Sequence, residues 1–339
     1  MSDPGGILHA IVATPRKRTR DAAAAPARRE KPAAPASKEP RAKPRPKPPA
    51  QRQPPARPKP GEATAKTVPA EPGKPAEPAA VEAGVRTLAV IPARYGAHRL
   101  PGKPLLRDTG KYLVQHVYER AKAARRLERV VVATDDERIA RACERFGAEA
   151  VMTPVECPSG TDRVARAAAA LRWDGEVVMN VQGDEPEIAP DNLDILVGLM
   201  ERTTAPMGTL VYQSSSEAEF RRRDVVKCVC RADGRALYFT RAGVPYARDS
   251  TFGSGAGFYG LFLKHLGVYA YRRAFLVDTL AKLEPSTLEG IECLEQLRVL
   301  ENGYEIAVAK AVSDSNGIDT QDQYREFIAR EAERARGRG

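Results

Sequence analysis

The chain has 339 residues, and its composition changes sharply near Gly84. Residues 1–84 hold 18 of the 28 prolines and carry 17 Lys and Arg against 8 Asp and Glu, whereas the remaining residues carry 37 basic and 36 acidic side chains. The excess positive charge therefore belongs to the first segment, and no segment has the roughly 18 uninterrupted apolar residues of a membrane span, so we expect a soluble protein.

Pro, Ala and Lys dominate residues 1–84, in tracts such as KPRPKPP. Such tracts bury too little apolar surface to offset the entropy of ordering them, so the segment is predicted to be a disordered, basic extension. Its apolar stretch ILHAIVA is short and is followed, not preceded, by basic residues, unlike a secretory signal. Three interpretations stay open: a solvated extension, a basic arm that attracts nucleic acid or anionic lipid, and a translation start assigned too far upstream.

From Arg86 onward, strand and helix patterns alternate. RTLAVIP is a short apolar run typical of a buried parallel strand, and a helical pattern runs from about Tyr112 to Leu127. RVVVAT is the next strand, followed by a helix that Asp135-Asp136 caps and Gly147 ends. AEAVM, a helix over 161–171 and EVVMNVQ continue the series. Repeated βαβ units predict a Rossmann-like α/β fold, whose ligands bind beyond the carboxyl ends of its parallel strands.

The pattern changes after about Pro206. VVKCVCRADGRALYFTR reads as two strands around an Asp233-Gly234 turn, and HLGVYAYR as another strand, so an antiparallel subdomain is expected as an insertion at about 207–272. Helices follow near 273–282 and 287–301, YEIAVAKAV closes the sheet, and Thr320–Arg330 is the last helix. We therefore predict one α/β domain over 85–332 and a flexible tail over 333–339.

The cysteines and histidines argue against a structural metal. Five cysteines form no CxxC pair, so buried, reduced thiols of a cytoplasmic protein are favoured over a metal site. The four histidines show no HxxxH spacing, which disfavours a zinc enzyme.

The segment IPARYGAHRLPGKPLL, at 91–106, follows the first predicted strand and carries Arg94, Arg99 and Lys103 among glycines and prolines. Glycines allow a close backbone approach, and backbone amides with fixed cations favour phosphate. The segment is neither a Walker A loop nor GxGxxG. Taken alone, the segment would be better explained as a solvated basic turn.

Three further polar segments follow predicted strands. In CPSGTDR, at 157–163, Thr161 or Asp162 could simply cap a helix, or the turn could read a base or ribose. VQGDEP, at 181–186, places the acidic pair Asp184-Glu185 where a buried strand ends, and Asp319 follows the last strand in GIDT. One such aspartate is usually a helix cap. Two at adjacent strand ends facing a cationic loop favour a Mg²⁺–phosphate site.

Together these motifs identify a family. IPARYGAHRLPGKPLL, QHVYERA, VVVATDDERI, PSGTDR, VQGDEP, KHLGVYAYR, LEQLRVLENG and GIDT occur in this order between about Arg86 and Arg330. The sequence resembles the 3-deoxy-manno-octulosonate cytidylyltransferases, the CMP-KDO synthetases of Gram-negative bacteria. The family usually has serine and threonine before the loop arginine, where this chain has Ala97-His98, which puts the fine geometry of the phosphate loop in question.

The resemblance implies a role for each matching residue, with Arg94, Lys103 and Asp184 as the catalytic set. The CTP phosphates would contact Ala93, Arg94, Arg99 and Lys103, and the cytosine and ribose would contact Ser159, Gly160, Thr161, Asp162 and Arg163. Asp184 and Asp319 would hold Mg²⁺. Gln182 would contact both substrates, and the sugar acid would contact Arg241, His265, Tyr269, Glu295 and Gln296.

Some of these residues also have a structural interpretation. His265 and Tyr269 could be a strand pair packing on one face, and Glu295 could be an ion-pair partner of Arg298, three residues on. The implied reaction is transfer of CMP from CTP to KDO, by a cytoplasmic, Mg²⁺-dependent homodimer of lipopolysaccharide biosynthesis. The alternatives are a synthetase for a related sugar acid (8-amino-KDO or a sialic-type acid) and a non-catalytic homologue that binds polyanions through residues 1–84.

Overall fold

A computed structural model describes residues 84–96, 99–246, 248 and 262–337. The predicted disordered extension up to residue 83 and the Ala97-His98 substitution lie outside these ranges. Within them, no helix combines the length and apolar character needed to cross a membrane.

Nine strands of the described ranges belong to one sheet. They are β1 (Thr87–Ala93), β2 (Arg129–Thr134), β3 (Glu149–Met152), β4 (Val177–Val181), β5 (Met207–Ser214), β6 (Lys227–Cys230), β7 (Ala236–Thr240), β8 (Phe262–Arg272) and β9 (Ile306–Lys310). The α-helices are α1 (Leu113–Lys122), α2 (Glu137–Arg145), α3 (Gly160–Ala170), α4 (Pro190–Arg202), α5 (Glu217–Arg221), α6 (Thr287–Glu292), α7 (Gln296–Glu301) and α8 (Gln321–Arg336). A π-helical segment (Phe275–Thr279) and a 3₁₀ turn (Leu280–Lys282) follow β8.

The main path of the sheet has the order β3-β2-β1-β4-β8-β5-β9. Strands β1 to β4 are parallel, as the buried runs predict, and β5 pairs with β9 in parallel. Strand β8 lies between β4 and β5 and is antiparallel to both. The segment 207–272 is therefore not a separate subdomain: β5 and β8 are part of the main sheet, and only the β6–β7 hairpin lies off its path.

Both faces of the sheet are covered. Along β1, Leu88 and Val90 belong to one apolar cluster, whereas Ala89 and Ile91 belong to another, as the alternation of side chains in a strand requires. All four are fully buried. The carboxyl ends of β1 and β4 are adjacent because the two strands are parallel neighbours, and the polar segments 94–105 and 182–186 leave the sheet there.

Three helix boundaries differ from the expected ones. Helix α1 ends at Lys122 and not near Leu127, because the Arg126 amide donates to the Asp194 carboxylate instead of continuing the helix. The expected helix over 287–301 is broken at Cys293, which is left-handed with φ 52°. Helix α8 continues to Arg336, beyond the expected end at Arg330, because Arg330 and Arg334 both pair with Glu187.

Candidate active site

A backbone hydrogen bond joins the described parts of the loop after β1. The Gly102 amide donates to the Tyr95 carbonyl at 3.2 Å, and Gly102 has φ +66°, a conformation that glycine adopts without strain. The Arg138 guanidinium lies 3.4 Å from the centroid of the Tyr95 ring. The chain then enters a 3₁₀ turn at Lys103, with Pro104 buried. Lys103 therefore begins a turn that is anchored by Gly102 on one side and by Pro104 on the other.

The Lys103 ammonium joins two carboxylates. Its Nζ donates to Asp184 Oδ2 at 2.8 Å, to Asp319 Oδ1 at 3.1 Å and to the Ile318 carbonyl at 2.9 Å. Arg99 pairs with the other oxygen of Asp319 at 3.0 Å. Burial alone would lower the pKa of Lys103, but the charges of Asp184 and Asp319 outweigh burial and hold that pKa above its ordinary value. The three side chains therefore form one charged cluster, as the sequence predicts.

The two aspartates arrive by different routes. Asp184 follows β4, and a Cβ on Gly183 would lie 2.6 Å from the Pro92 carbonyl, so only glycine lets this turn approach β1 so closely. Asp319 ends the segment that follows β9, and the Ile318 amide donates to the Asp184 carbonyl at 2.8 Å. The expectation that Asp184 and Asp319 follow adjacent strands was wrong, because β8 and β5 lie between β4 and β9. The connection that follows β9 brings Asp319 back to Asp184.

A buried lysine that the sequence reading did not identify holds this connection in place. Lys264, 7% exposed, donates to Asp314 at 2.8 Å, to Asn316 at 2.8 Å and to Glu219 at 3.0 Å. Its three protons are thereby all used. Two of its partners lie on the connection that ends at Asp319, so Lys264 fixes the path of that segment.

Glu185, next to Asp184, fixes the same connection from the other side. It accepts a hydrogen bond from the Ser315 hydroxyl. Burial raises the pKa of Glu185 to about 7, and the neighbouring charge of Asp184 adds to the rise, while the Ser315 hydrogen bond opposes it. Within the acidic pair, Asp184 therefore contacts the cation and Glu185 supports the loop.

Helix α3 begins at the opposite wall of the cleft. Its N-cap is Ser159, whose Oγ accepts from the Asp162 amide and donates to the Asp162 carboxylate, so neither Thr161 nor Asp162 is the cap. The Thr161 hydroxyl instead donates to Glu295 at 2.7 Å. Arg163 is 3% exposed and pairs with Asp135 at 2.7 Å. Ser159 and Gly160 line the cleft.

Glu295 and Gln296 occupy the bend between α6 and α7. Arg298 pairs with Glu289 at 2.5 Å, so the alternative in which Glu295 is the partner of Arg298 was wrong. The Tyr269 hydroxyl donates to Gln296 Oε1 at 3.1 Å, and Gln296 Nε2 is buried without a hydrogen-bond partner in the described residues. Gln296 lines the cleft, and a contact of its amide with a ligand stays a prediction.

Arg241, which follows β7, braces the same bend. Its guanidinium donates to the carbonyls of Glu292 at 2.7 Å, Arg223 at 3.1 Å and Cys293 at 3.2 Å. The carbonyls of Glu292 and Cys293 lie at the break between the two helices, where helical hydrogen bonding is interrupted. Arg241 lines the cleft, and a direct contact with the sugar acid stays a prediction.

His265 and Tyr269 share one side of β8, with ring centroids 5.3 Å apart. His265 Nε2 lies 3.0 Å from Thr209 Oγ1, and burial lowers the pKa of His265 to about 3, so the imidazole is neutral. Both residues also line the cleft, which makes them a packed pair and candidate ligand contacts at once.

These elements enclose a cleft of about 730 Å³, a size typical of small-molecule sites. Thr161 and Asp162 border a smaller apolar cavity next to it. The remaining predicted site residues line the cleft itself: Ala93, Arg94, Arg99, Lys103, Ser159, Gly160, Arg163, Gln182, Asp184, Arg241, His265, Tyr269, Glu295, Gln296 and Asp319.

Most residues that line this cleft lie within the range that a family profile matches, and Asp319 lies beyond it. A sequence profile of the cytidylyltransferases matches residues 88–306. The chain is 47% identical over 231 residues to the 3-deoxy-manno-octulosonate cytidylyltransferase of Syntrophobacter fumaroxidans, covering 68% of this chain and 90% of that relative. The chain belongs to the 3-deoxy-manno-octulosonate cytidylyltransferase family. Its family is one of nucleotidyltransferases, so the resemblance drawn from the motifs is confirmed.

Two further comparisons describe the extent of the family likeness. The chain is 46% identical over 240 residues to the 8-amino-3,8-dideoxy-manno-octulosonate cytidylyltransferase of Shewanella halifaxensis, covering 70% of this chain and 95% of the relative. A solved structure of CMP:2-keto-3-deoxy-manno-octonic acid synthetase complexed with CTP aligns with a TM-score of 0.67 and 38% identity, covering 74% of this chain and 99% of that chain. The Rossmann-like α/β fold predicted from the sequence is therefore confirmed.

Proposed function

We propose that this cytidylyltransferase transfers CMP from CTP to KDO, giving CMP-KDO and pyrophosphate for lipopolysaccharide biosynthesis. The observation that carries the proposal is the convergence of Lys103, Asp184 and Asp319 within 3.1 Å at one end of the cleft. The names of the relative from Syntrophobacter fumaroxidans and of the solved CTP complex support it. In this proposal, the cationic segment at 91–106 binds the pyrophosphate.

We propose Mg²⁺ as the cofactor, bound between Asp184 and Asp319. The two carboxylates fit a shared cation because both already approach one, the Lys103 ammonium. Mg²⁺ typically takes one or two protein carboxylates and completes its shell with water and substrate phosphates. No larger cluster of His, Cys, Asp and Glu suited to a metal occurs in the part of the chain that the structure describes. When bound, Mg²⁺ would neutralise charge on the phosphate oxygens.

The side chains of this chain would supply position and charge. In an in-line displacement, the anomeric hydroxyl oxygen of the sugar acid forms a bond to the α-phosphorus as the bond to pyrophosphate breaks, and the hydroxyl proton is released to solvent. Lys103 and Arg94 would face the leaving group, where negative charge grows in the transition state. Gln296 Nε2, His265 and Tyr269 would orient the sugar acid at the other end of the cleft, which raises the effective concentration of the attacking hydroxyl.

The second candidate substrate is the 8-amino analogue of KDO. The observation in its favour is the 46% identity to an enzyme named for that sugar acid. A difference of one exocyclic group is sensed by few residues, so the two candidates share every step above. A panel of acceptors separates them.

The test is pyrophosphate release from CTP with KDO, 8-amino-KDO and a sialic acid as acceptors. We expect the highest kcat/KM with KDO. Asp184→Asn should lower kcat by on the order of 10²-fold or more, because charge on the phosphates is left uncompensated. The control is Asp191→Asn, the same change at a carboxylate whose partner is the exposed Arg125. More than half of wild-type activity in Asp184→Asn at millimolar Mg²⁺ would show that the cation site is wrong.

The remaining predictions concern assembly and residues 1–84. We propose, from family membership, that the protein is a homodimer. Its mass in solution, measured by light scattering, tests this prediction. We propose a cytoplasmic location, supported by five free thiols at Cys143, Cys157, Cys228, Cys230 and Cys293. Deleting 1–84 should leave kcat and Tm unchanged, since the family profile begins at residue 88. Loss of heparin retention on that deletion, with no pyrophosphate released from any sugar acid, would favour the polyanion-binding alternative.

A further inference from the structure

A buried threonine contacts the ring of His265 from the neighbouring strand. Thr209, on β5, is fully buried and lies opposite Tyr269 in the pairing with β8. The register between the two strands shifts directly after Thr209. This irregularity leaves Thr209 Oγ1 within reach of three groups of β8 at once: the Val268 carbonyl at 2.7 Å, His265 Nε2 at 3.0 Å and the Leu266 carbonyl at 3.5 Å.

The single hydroxyl proton of Thr209 can go to only one of these groups. Two oxygens that approach to 2.7 Å need a hydrogen between them, because otherwise their lone pairs repel. The carbonyl of Val268 has no hydrogen to give, so the proton of Thr209 points to it. The lone pairs of Thr209 Oγ1 are then the acceptor for His265, and the Nε2 atom must carry the proton.

The other ring nitrogen is thereby defined as well. A neutral imidazole has one N–H, so a proton on Nε2 leaves Nδ1 with a free lone pair. The ring is neutral because burial lowers the pKa of His265 to about 3. Within the described residues, Nε2 is the ring nitrogen that has a hydrogen-bond partner. His265 is one of the residues that line the cleft, as are Tyr269 and Gln296.

We propose that Thr209 is a positioning residue that locks His265 in the Nε2–H tautomer, so that Nδ1 offers the cleft a hydrogen-bond acceptor and selects a sugar acid with a hydroxyl donor at that point. A carbonyl, carboxylate, ether or fluorine in the same place has no proton for Nδ1, and the site rejects it. The assignment of the tautomer stands on contacts within the chain, whereas the hydroxyl partner rests on the proposed function.

The chain contains a matched control. His116 Nε2 lies 2.7 Å from Thr109 Oγ1, and that hydroxyl donates to the Lys111 carbonyl at 3.2 Å. Both pairs join a threonine hydroxyl to a histidine Nε2, but the Nδ1 of His116 lies 3.9 Å from the Glu331 carboxylate, and Thr109 and His116 are not among the residues that line the cleft. Thr109→Val therefore removes an equivalent hydroxyl without touching the site.

Tautomers are read from two-bond ¹⁵N–¹H correlation spectra of the full chain labelled in histidine, with His265→Asn assigning the His265 signals. In the wild type we expect the proton of His265 on Nε2 at neutral pH. Thr209→Val should give His265 a measurable Nδ1–H population, and Thr209→Ser should keep the wild-type pattern. Thr109→Val should leave His265 unchanged. A wild-type spectrum with the proton on Nδ1 overturns the assignment, whether or not the protein turns over CTP and whether or not Thr209→Val folds.

Enzyme kinetics test whether Nδ1 of His265 selects a sugar acid with a hydroxyl donor. Thr209→Val should raise the KM for the sugar acid about tenfold, the loss expected for one hydrogen bond, with kcat and the KM for CTP within twofold. Among monofluoro analogues of the sugar acid, one should bind about tenfold worse than the parent to the wild type but not to Thr209→Val. An unchanged sugar KM in Thr209→Val, with the tautomer altered, would overturn the selection of a hydroxyl and leave the tautomer assignment standing. Absence of turnover in the wild type would overturn the proposed function separately.

Discussion

Replacing Lys103 by methionine removes one ammonium and keeps most of the apolar stem. That ammonium lies 2.8 Å from Asp184 and 3.1 Å from Asp319, the two carboxylates of the proposed Mg²⁺ site. Under that proposal, the lysine and the metal ion would compete for the same two carboxylates. The substitution should consequently change metal affinity and turnover in opposite directions.

The magnitude follows from the charges. The Asp184 side chain is 30% exposed and Asp319 42% exposed, but Lys103 is 13% exposed, so the dielectric constant of water gives the lower limit of the repulsion. A divalent cation about 4 Å from an ammonium is then repelled by at least about 2 kcal/mol, which corresponds to a factor of about 30 in Kd. We expect Lys103→Met to bind Mg²⁺ at least about thirtyfold more tightly without nucleotide. Its kcat should fall by on the order of 10²-fold to 10³-fold, because a cation at the developing charge is lost.

Isothermal titration with Mg²⁺ measures the first effect, and pyrophosphate release at saturating CTP and KDO measures the second. Lys111→Met is the control, since Lys111 is half exposed and pairs with Glu119 away from the cleft. Weaker Mg²⁺ binding in Lys103→Met would refute the shared cation site. A normal kcat together with a raised KM for the sugar acid would show that the loop faces the other substrate.

Two further predictions concern stability. Lys264→Met should lower the free energy of unfolding, measured by urea denaturation, by on the order of 3 kcal/mol, because Glu219 and Asp314 lose their shared ammonium. The control Lys310→Met, at an exposed lysine, should have no effect beyond the error of the measurement. Equal effects of the two substitutions would contradict the role of Lys264. His265 has a pKa lowered from 6.5 to about 3, so its contribution is complete above pH 6.5 and is lost as the pH falls toward 3. Between pH 7 and 5 the wild type should lose on the order of 2 kcal/mol more than His265→Asn, and parallel pH profiles would refute this.

The parallel half of the fold was predictable because its strands are buried on both faces. RTLAVIP and RVVVAT read as continuous apolar runs, and the structure places them as β1 and β2. Helix α4 is absent from the expected elements, although its signal exists: Pro190 at its start, and Leu193, Leu196 and Val197 at helical spacing. The antiparallel strands were harder to place, because local alternation defines the face of a residue but not the neighbour of its strand.

The location of the site was predictable from the sequence, but the buried contacts that support it were not. The rule that ligands bind at the carboxyl ends of parallel strands brought Lys103 and Asp184 together, and their charges indicated a phosphate site. The contacts of Lys264 join residues 45 to 52 positions apart, and those of Thr209 and His265 depend on a shift in strand register. Neither has a local signature. Such contacts arise from tertiary packing, so a single sequence does not contain them in readable form.

The charges of the cleft explain why Lys103 and Arg99 are paired with carboxylates. Lys103 and Arg99 both contact carboxylates, whereas Arg94 has no ion-pair partner within the described ranges. An ammonium as buried as that of Lys103 is costly without an anion, and Asp184 and Asp319 repel each other without a cation. Lys103 can therefore leave the two carboxylates only when another anion takes their place. Asp184 and Asp319 can leave Lys103 only when another cation takes its place. A triphosphate alone would pair with the cations, but it would leave the carboxylates without a cation. We infer that the cleft accepts its nucleotide together with a divalent cation, because only that pair replaces both kinds of partner in one exchange.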